Sequence, residues 1–479
     1  MDGSEFLHRG AGGEAVSGVS RLGLLSVLFA QFLGVLDGLI VSVAIPEMAA
    51  SLDIDVGDAH WVLNAYSVAF AGLLPLGGKL ADMFGRRRSF VAGQVLLSAG
   101  SLLGAFSPNL TVVLIARILQ ATGAAVSTPA GVSMLADSFR DERERSRAFG
   151  WLPIGGGVGW VSAALFGGVL TAAFGWQSVF LVNLPISLAA IAFARIGFRT
   201  TRPPSGGERI SWRSSVLLVL ALAVAVYALG GAEKNGLLSY LTIGGLLVAA
   251  ALGGVFTRVA LRDANPVLRL QLLRTGGVPG AALLGLALPV GFVATQFLGS
   301  IYLQDVAGLP PDLAGYVFLP LAATPLLVTT LVGKHYRRFG AGRSVAAGFG
   351  LAAAGLALTA VTPLVAELAL MLLGFGLIGI GLTIVYVPLA VAAVSGTDDT
   401  DYGAASAIFA TSNQVGGSLA LAILSSSALA GTAAGEHRYT AAGLSTGLVV
   451  AAGMCLLAGL LAIPLLRRVD QLSAGLEPR

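Results

Sequence analysis

Apolar segments of about twenty residues recur along almost the whole chain, and that recurrence constrains its fold more than any other feature. At 1.5 Å per residue, a helix of that length matches the roughly 30 Å hydrocarbon core of a bilayer. Fourteen such segments can be read, from 22–46 to 441–466, with the seventh (214–231) and eighth (239–261) the least sharply bounded. Composition agrees: 56% of the 479 residues are hydrophobic, 11% are charged and the mean hydropathy is +0.84. A soluble chain carries about 25% charged residues, a gap that loops cannot close. The fold class is therefore an all-α, polytopic membrane protein.

Orientation follows from where Lys and Arg fall. With the N-terminus inside, the inside segments hold 26 of the 29 basic residues, all but Lys234, Arg438 and Arg117. That partition requires an even number of spans with both termini cytoplasmic. The net charge of +4 is then a topology signal, and a nucleic-acid partner is excluded. Cys455 stands alone in an apolar run, so no intrachain disulfide and no multi-cysteine metal site is expected. The four histidines lie in no metal spacing and no Walker motif is present, so neither a metal nor ATP drive is implied, nor an enzyme. GFGLIG (374–379) fits a dinucleotide fingerprint but lies inside a span with no strand before it, and reads as helix packing. The first apolar run exceeds a signal-peptide h-region and lacks a cleavage site, and GSEF at 3–6 resembles a cloning remnant.

The chain repeats itself. GKLADMFGRRR (78–88) and GKHYRRFGAGR (333–343) share Gly, Lys, Phe, Gly and the final Arg, and they lie eight helices apart, both inside. Two parallel six-helix halves with a two-helix insert account for that offset. The expected organisation is a cytoplasmic tail at 1–21, a six-helix bundle at 22–198, and a linker with inserted helices seven and eight at 199–265. A second bundle at 266–466 and a tail at 467–479 complete it.

Within QFLGVLDGLIVSVAIPEM (31–48), Asp37 has apolar neighbours on every side. A carboxylate at the centre of a membrane helix costs about 2.5–3.5 kcal/mol or more, so such residues face a cavity, a pathway or a partner. A carboxyl that is neutral facing one solvent and charged facing the other carries protons; the alternative is a paired structural fixture. Arg117 is the basic residue placed inside a helix, and Gln120, three residues on, shares its face. Asn64, Gln296, Asn413 and Gln414, with the aromatics Tyr66 and Phe292, are candidates to line a substrate cavity, since amphipathic ligands suit apolar cavities with few polar groups. In the first loop, Gly78 and Gly85 permit tight turns.

Taken together, these motifs resemble the major facilitator superfamily, in particular its fourteen-helix drug:proton antiporters. GKLADMFGRRR is similar to the family's loop between helices two and three, with Gly78, Asp82, Gly85, Arg86 and Arg87 in register. LDGLIVSVAIP (36–46) resembles the first-helix motif, and RILQATGAA (117–125) the fourth-helix motif. The resemblance implies proton coupling through Asp37, Arg117 and Gln120, and conformational gating by the loop residues. It further implies export of amphipathic drugs or antibiotics by alternating access in a bacterial cytoplasmic membrane. The protein would act as a monomer with no cofactor, with a small organic substrate, protons and lipid as partners. The fifth-helix motif keeps Gly150, Gly159, Gly167 and Gly168, but Ala163 and Ala164 stand where Gly-Pro is expected. A missing proline removes an expected helix irregularity and loosens the inference of transport direction. Import of a nutrient therefore stays open beside export. A non-transporting sensor or scaffold is the reading from another class, and the lack of a long soluble stretch counts against it.

Overall fold

The computed structural model describes residues 18–54, 61–138, 148, 151–198, 211–235, 239–263, 266, 268–365, 367–397, 402–429 and 439–474. Among these residues the chain forms helices and turns and no strand. Helices meet the bilayer's demand that every backbone N–H and C=O be satisfied within its own segment. The first half comprises α1 (Gly18–Leu52), α2 (Trp61–Phe84), α3 (Arg86–Ala105), α4 (Leu110–Ser138), α5 (Leu152–Phe174) and α6 (Ser178–Gly197). Then come α7 (Trp212–Asn235) and α8 (Tyr240–Arg262). The second half holds α9 (Val278–Ile301), extended by a wide π turn at Tyr302–Val306, and the short α10 (Pro311–Val317). It closes with α11 (Leu319–Val365), α12 (Leu368–Ala392), α13 (Tyr402–Leu429) and α14 (Ala441–Ala474).

Ten of the described helices are long and apolar enough to cross a membrane, or twelve if two bent pairs each count as one span. The fourteen segments read from sequence differ from this at two places. α3 opens on Arg86, Arg87 and Arg88, and the 319–339 arm of α11 carries Lys334, Arg337 and Arg338. Both are long enough to span, but their basic ends dilute their hydropathy.

The two bends have different causes. α2 turns by 41° between Phe70 and Gly72. Pro75 sits four residues past Ala71, where its ring displaces the i−4 carbonyl. α5 turns by 44° between Ala163 and Leu165 without any internal proline. The expectation that losing Gly-Pro removes the irregularity is therefore overturned; Ser162 and the Gly167–Gly168 pair flank the bend, and such small residues let a helix break.

α1 packs against α5, α6 and α4, with α3 against α4 and α6. In the second half α9 packs on α13 and α14, and α11 on α12 and α14. α7 touches both α2 and α13, so the inserted pair bridges the halves, and Tyr227 stacks on Trp61 at 5.1 Å.

The backbone repeats as the two loops do. Gly85 (φ 91°) separates α2 from α3, and Gly340 (φ 81°) interrupts α11 at the matching position. Both angles lie where an L side chain is strained. Past Gly340, the Asp470 carboxylate accepts from the backbone N–H of Ala341 (2.6 Å) and Gly342 (3.2 Å), capping the second arm. Gly78 was expected to permit a turn, but it lies within α2, where the helix continues to Phe84 and the turn falls on Gly85 alone.

Candidate functional site

Asp37, on α1, is completely buried. Its Oδ2 accepts from Arg117 Nη1 at 2.8 Å, and its Oδ1 accepts from Gln120 Nε2 at 3.0 Å and Asn183 Nδ2 at 2.6 Å. Three helices, α1, α4 and α6, thus converge on one carboxylate. Arg117 and Gln120 both reach it because residues three apart share a helix face. Asn183 follows the break in α6 at Val182, where the chain turns before the main helical run.

Arg117 is equally buried, and its charge is met from several sides. Besides the ion pair, Nη1 donates to Gln120 Oε1 (2.9 Å), Nε donates to the Val62 carbonyl (3.1 Å), and the guanidinium lies 4.3 Å above the Tyr66 ring. Ser101, on α3, accepts from Gln120 Nε2 (2.9 Å) and Asn183 Nδ2 (3.2 Å), closing the network. Desolvating each ion costs several kcal/mol, which the attraction repays only with good geometry and further hydrogen bonds. Here the carboxylate accepts from three donors, one of them charged. Among the described residues, Arg117 Nη2 and Asn183 Oδ1 find no protein partner.

A second polar cluster lies one to two turns along α3, α4 and α6. Gln94 donates to Ser127 Oγ (3.1 Å), Ser187 donates to Gln94 Oε1 (3.0 Å), and Ser98 donates to Ser187 Oγ (2.9 Å). It fixes α3, α4 and α6 relative to one another below the ion pair.

The structure brings Asp37, Arg117 and Gln120 into contact, a meeting that the sequence alone does not derive. Asn183 and Ser101 were missed. Asn183 carried a signal, being an amide in an apolar run, whereas a single serine in a small-residue helix carries none. Tyr66, grouped with cavity residues from sequence, is buried against Arg117 and Phe70 instead. The pairing explains this: a cationic face attracts an aromatic ring.

Among the other cavity candidates, Phe292 meets Trp160 edge-on at 4.9 Å, joining α9 to α5. Asn413 donates to the Phe409 carbonyl of its own helix (3.2 Å), and Gln414's carbonyl accepts from Ser418 (3.2 Å). Asn64, Gln296, Asn413 and Gln414 are half-buried, and nothing in the described structure gathers them around one cavity.

In the loop motif, Arg86 donates to the Ser133 carbonyl on α4 (3.2 Å) and Arg87 to the Phe198 carbonyl beyond α6 (2.8 Å). Lys79 reaches the Pro266 carbonyl (3.3 Å), tying α2 to the segment after α8. Asp82 lies on α2 with its side chain outside the described residues, and Gly150 lies outside them altogether. Gly159 sits where α5 crosses α1; a Cβ there would lie 2.5 Å from the Phe32 carbonyl. Gly167 is buried and Gly168 half-buried on the same helix.

A family model described as the Major Facilitator Superfamily matches residues 27–421. The chain belongs to the major facilitator superfamily. It is a membrane transporter and not an enzyme. It is 32% identical to the puromycin resistance protein pur8 of Streptomyces alboniger over 92% of this chain and 90% of that protein. It is 34% identical to the cephamycin export protein CmcT of Amycolatopsis lactamdurans, covering 82% of each. A crystal structure of the peptide transporter POT in complex with sulfate superimposes with a TM-score of 0.67 at 16% identity, over 94% of this chain and 95% of that one. That likeness establishes a shared fold.

Proposed function

We propose that this transporter exports amphipathic drugs or antibiotics from a bacterial cell in exchange for protons, by alternating access. The observation that carries the proposal is the Asp37–Arg117 pair, an ion pair fully withdrawn from water inside one half of the bundle. Relatives named for puromycin resistance and cephamycin export support the direction and the substrate class.

In this reading the chain has fourteen spans, α3 and the two arms of α11 among them, with both termini in the cytoplasm. Two six-helix halves rock about a midplane site while α7 and α8 bridge them. The N-terminal bundle occupies 22–198 and the C-terminal bundle 266–466. The protein works as a monomer in the cytoplasmic membrane and uses no cofactor, the proton gradient supplying the drive.

A proton arriving from outside neutralises Asp37 and removes the counter-charge that holds Arg117. Gln120, Asn183 and the free Arg117 Nη2 then re-form their hydrogen bonds around a cation without its carboxylate. That rearrangement within α1, α4 and α6 is the event that would release substrate outward. Loss of the proton to the inside restores the pair and the substrate-accepting state. The loop around Gly85, with Arg86 and Arg87 latched to carbonyls at the basic rim, gates the return. One charge moving down 100 mV yields about 2.3 kcal/mol, enough for roughly fiftyfold accumulation of a neutral substrate at one proton per molecule.

Everted membrane vesicles test the direction. Acidifying their lumen should make the transporter concentrate a fluorescent amphipathic dye inside them. Dye leaving the vesicles under the same gradient would instead establish an importer.

A further inference from the structure

Among the ten described helices long and apolar enough to cross a membrane, α8 is the least enclosed, with 17% of it buried inside the protein. Leu241, Leu247, Val248 and Val255 are all exposed along it, an apolar face made for lipid. At its C-terminal end the character changes. Arg258 and Arg262 stand four residues apart on one face, Val255 and Val259 complete that face, and Arg213 joins them from the first turn of α7. Together they line a groove of about 510 Å³.

Three guanidinium groups around one groove repel one another, and like charges at i and i+4 on a helix are unfavourable. Among the described residues none of the three makes an ion pair or a side-chain hydrogen bond. Asp263, the acid in the lining, is engaged in an interaction of its own. The groove thus carries three positive charges against one acid, and the exposed apolar face of α8 leads up to it. Trp212, exposed beside Arg213, is the kind of side chain that marks the level of the headgroups.

We propose that this basic end of the α7–α8 pair binds the phosphate headgroup of an anionic phospholipid, whose acyl chains lie along the exposed face of α8. Arginine forks suit a phosphate, and basic pockets between spanning helices on the cytoplasmic side are suited to such headgroups. A soluble anion would gain nothing from Val255 and Val259, which is why the occupant is a lipid. Because α7 touches both α2 and α13, the lipid sits on the element that bridges the two halves. Placing the site in the cytoplasmic leaflet follows the orientation proposed above; the binding itself does not depend on it.

The full-length protein in detergent can be titrated with phosphatidylglycerol, phosphatidylcholine or inorganic phosphate, with bound lipid read by native mass spectrometry. Phosphatidylglycerol should saturate one tight site. Replacing all three residues (Arg213→Gln, Arg258→Gln, Arg262→Gln) should raise its half-saturating concentration about 100-fold, each basic group near an anionic headgroup contributing a factor of about five. The pair Arg467→Gln and Arg468→Gln, also exposed at a helix end, should leave that site intact. If the triple variant does not fold, Arg258→Gln alone should weaken binding about fivefold while Arg258→Lys recovers most of it. Equal saturation by phosphatidylcholine, saturation by inorganic phosphate alone, or an equal loss in the Arg467/Arg468 variant would each overturn the proposal.

Discussion

The spacing that carries Gly78 onto Gly333 also carries Asp37, Arg117 and Gln120 onto Phe292, Leu372 and Phe375. The first half thus keeps a charged, hydrogen-bonded cluster where the second keeps apolar side chains. Phe375 is fully buried and stacks on Phe318 at 5.2 Å, while Phe292 meets Trp160 from the opposite half. These two solutions respond differently to motion. Aromatic contacts are built from many weak attractions and tolerate sliding. A buried ion pair is either met by its partners or very costly, which makes it a two-position element. Under the proposed mechanism, proton coupling belongs to the first half, and the second is left to adapt its surface.

The comparison breaks most severely at Arg117. Arg117→Met leaves the Asp37 carboxylate buried without a counter-charge and should cost about 4 kcal/mol, within the range for broken buried pairs. Thermal unfolding in detergent measures this, and adding Asp37→Asn should recover most of the loss. If the double variant is no more stable than Arg117→Met, the pair is not what the bundle depends on. On the other side, Phe375→Ala removes a fully buried ring and should cost about 3 kcal/mol. The distinction is that it should leave the proton dependence of transport unchanged, since no charge is touched. A shift in that dependence would erase the division between the halves.

Asn183→Ala sharpens the comparison within the first half. It removes a 2.6 Å bond to a carboxylate, worth about 2 kcal/mol for a charged partner, and should alter the pH profile of transport as well as stability. Asn183→Asp, which sets a second carboxylate beside Asp37, should impair transport more than Ala does. The smallest effect belongs to Ser101→Ala, about 1 kcal/mol, because Gln120 and Asn183 keep their bonds to Asp37 when the hydroxyl is gone. A pH profile displaced as far by Ser101→Ala as by Asn183→Ala would put the hydroxyl itself on the proton's route.

How much of this was legible depended on the kind of signal. Asp37 and Arg117 announce themselves because a charge in an apolar run has no cheap explanation. Gln120 follows from helical periodicity, but Asn183 sits 146 residues from Asp37, and their meeting is a fact of tertiary packing. Tyr66 shows the limit: sequence places an aromatic in a span, and only the position of Arg117 decides that the ring faces a cation. The loop repeat was readable from five shared residues, and the matched backbone angles at Gly85 and Gly340 give it a structural counterpart. The bend in α2 is written in Pro75, whereas that in α5 arises without a proline and had no sequence marker of that kind. Gating by Asp82 is readable as a motif and belongs to the proposal, its side chain lying outside the described residues.

The central claim is that Asp37 holds the proton that substrate exchange displaces. The purified transporter in weakly buffered detergent, mixed with a saturating amphipathic dye at neutral pH, tests it most directly through a pH-sensitive indicator. The account predicts that the wild-type protein releases up to one proton per bound dye, and that Asp37→Asn, fixed in the neutral state that lets substrate go, binds the dye more weakly and releases none. Undiminished proton release from Asp37→Asn would contradict it.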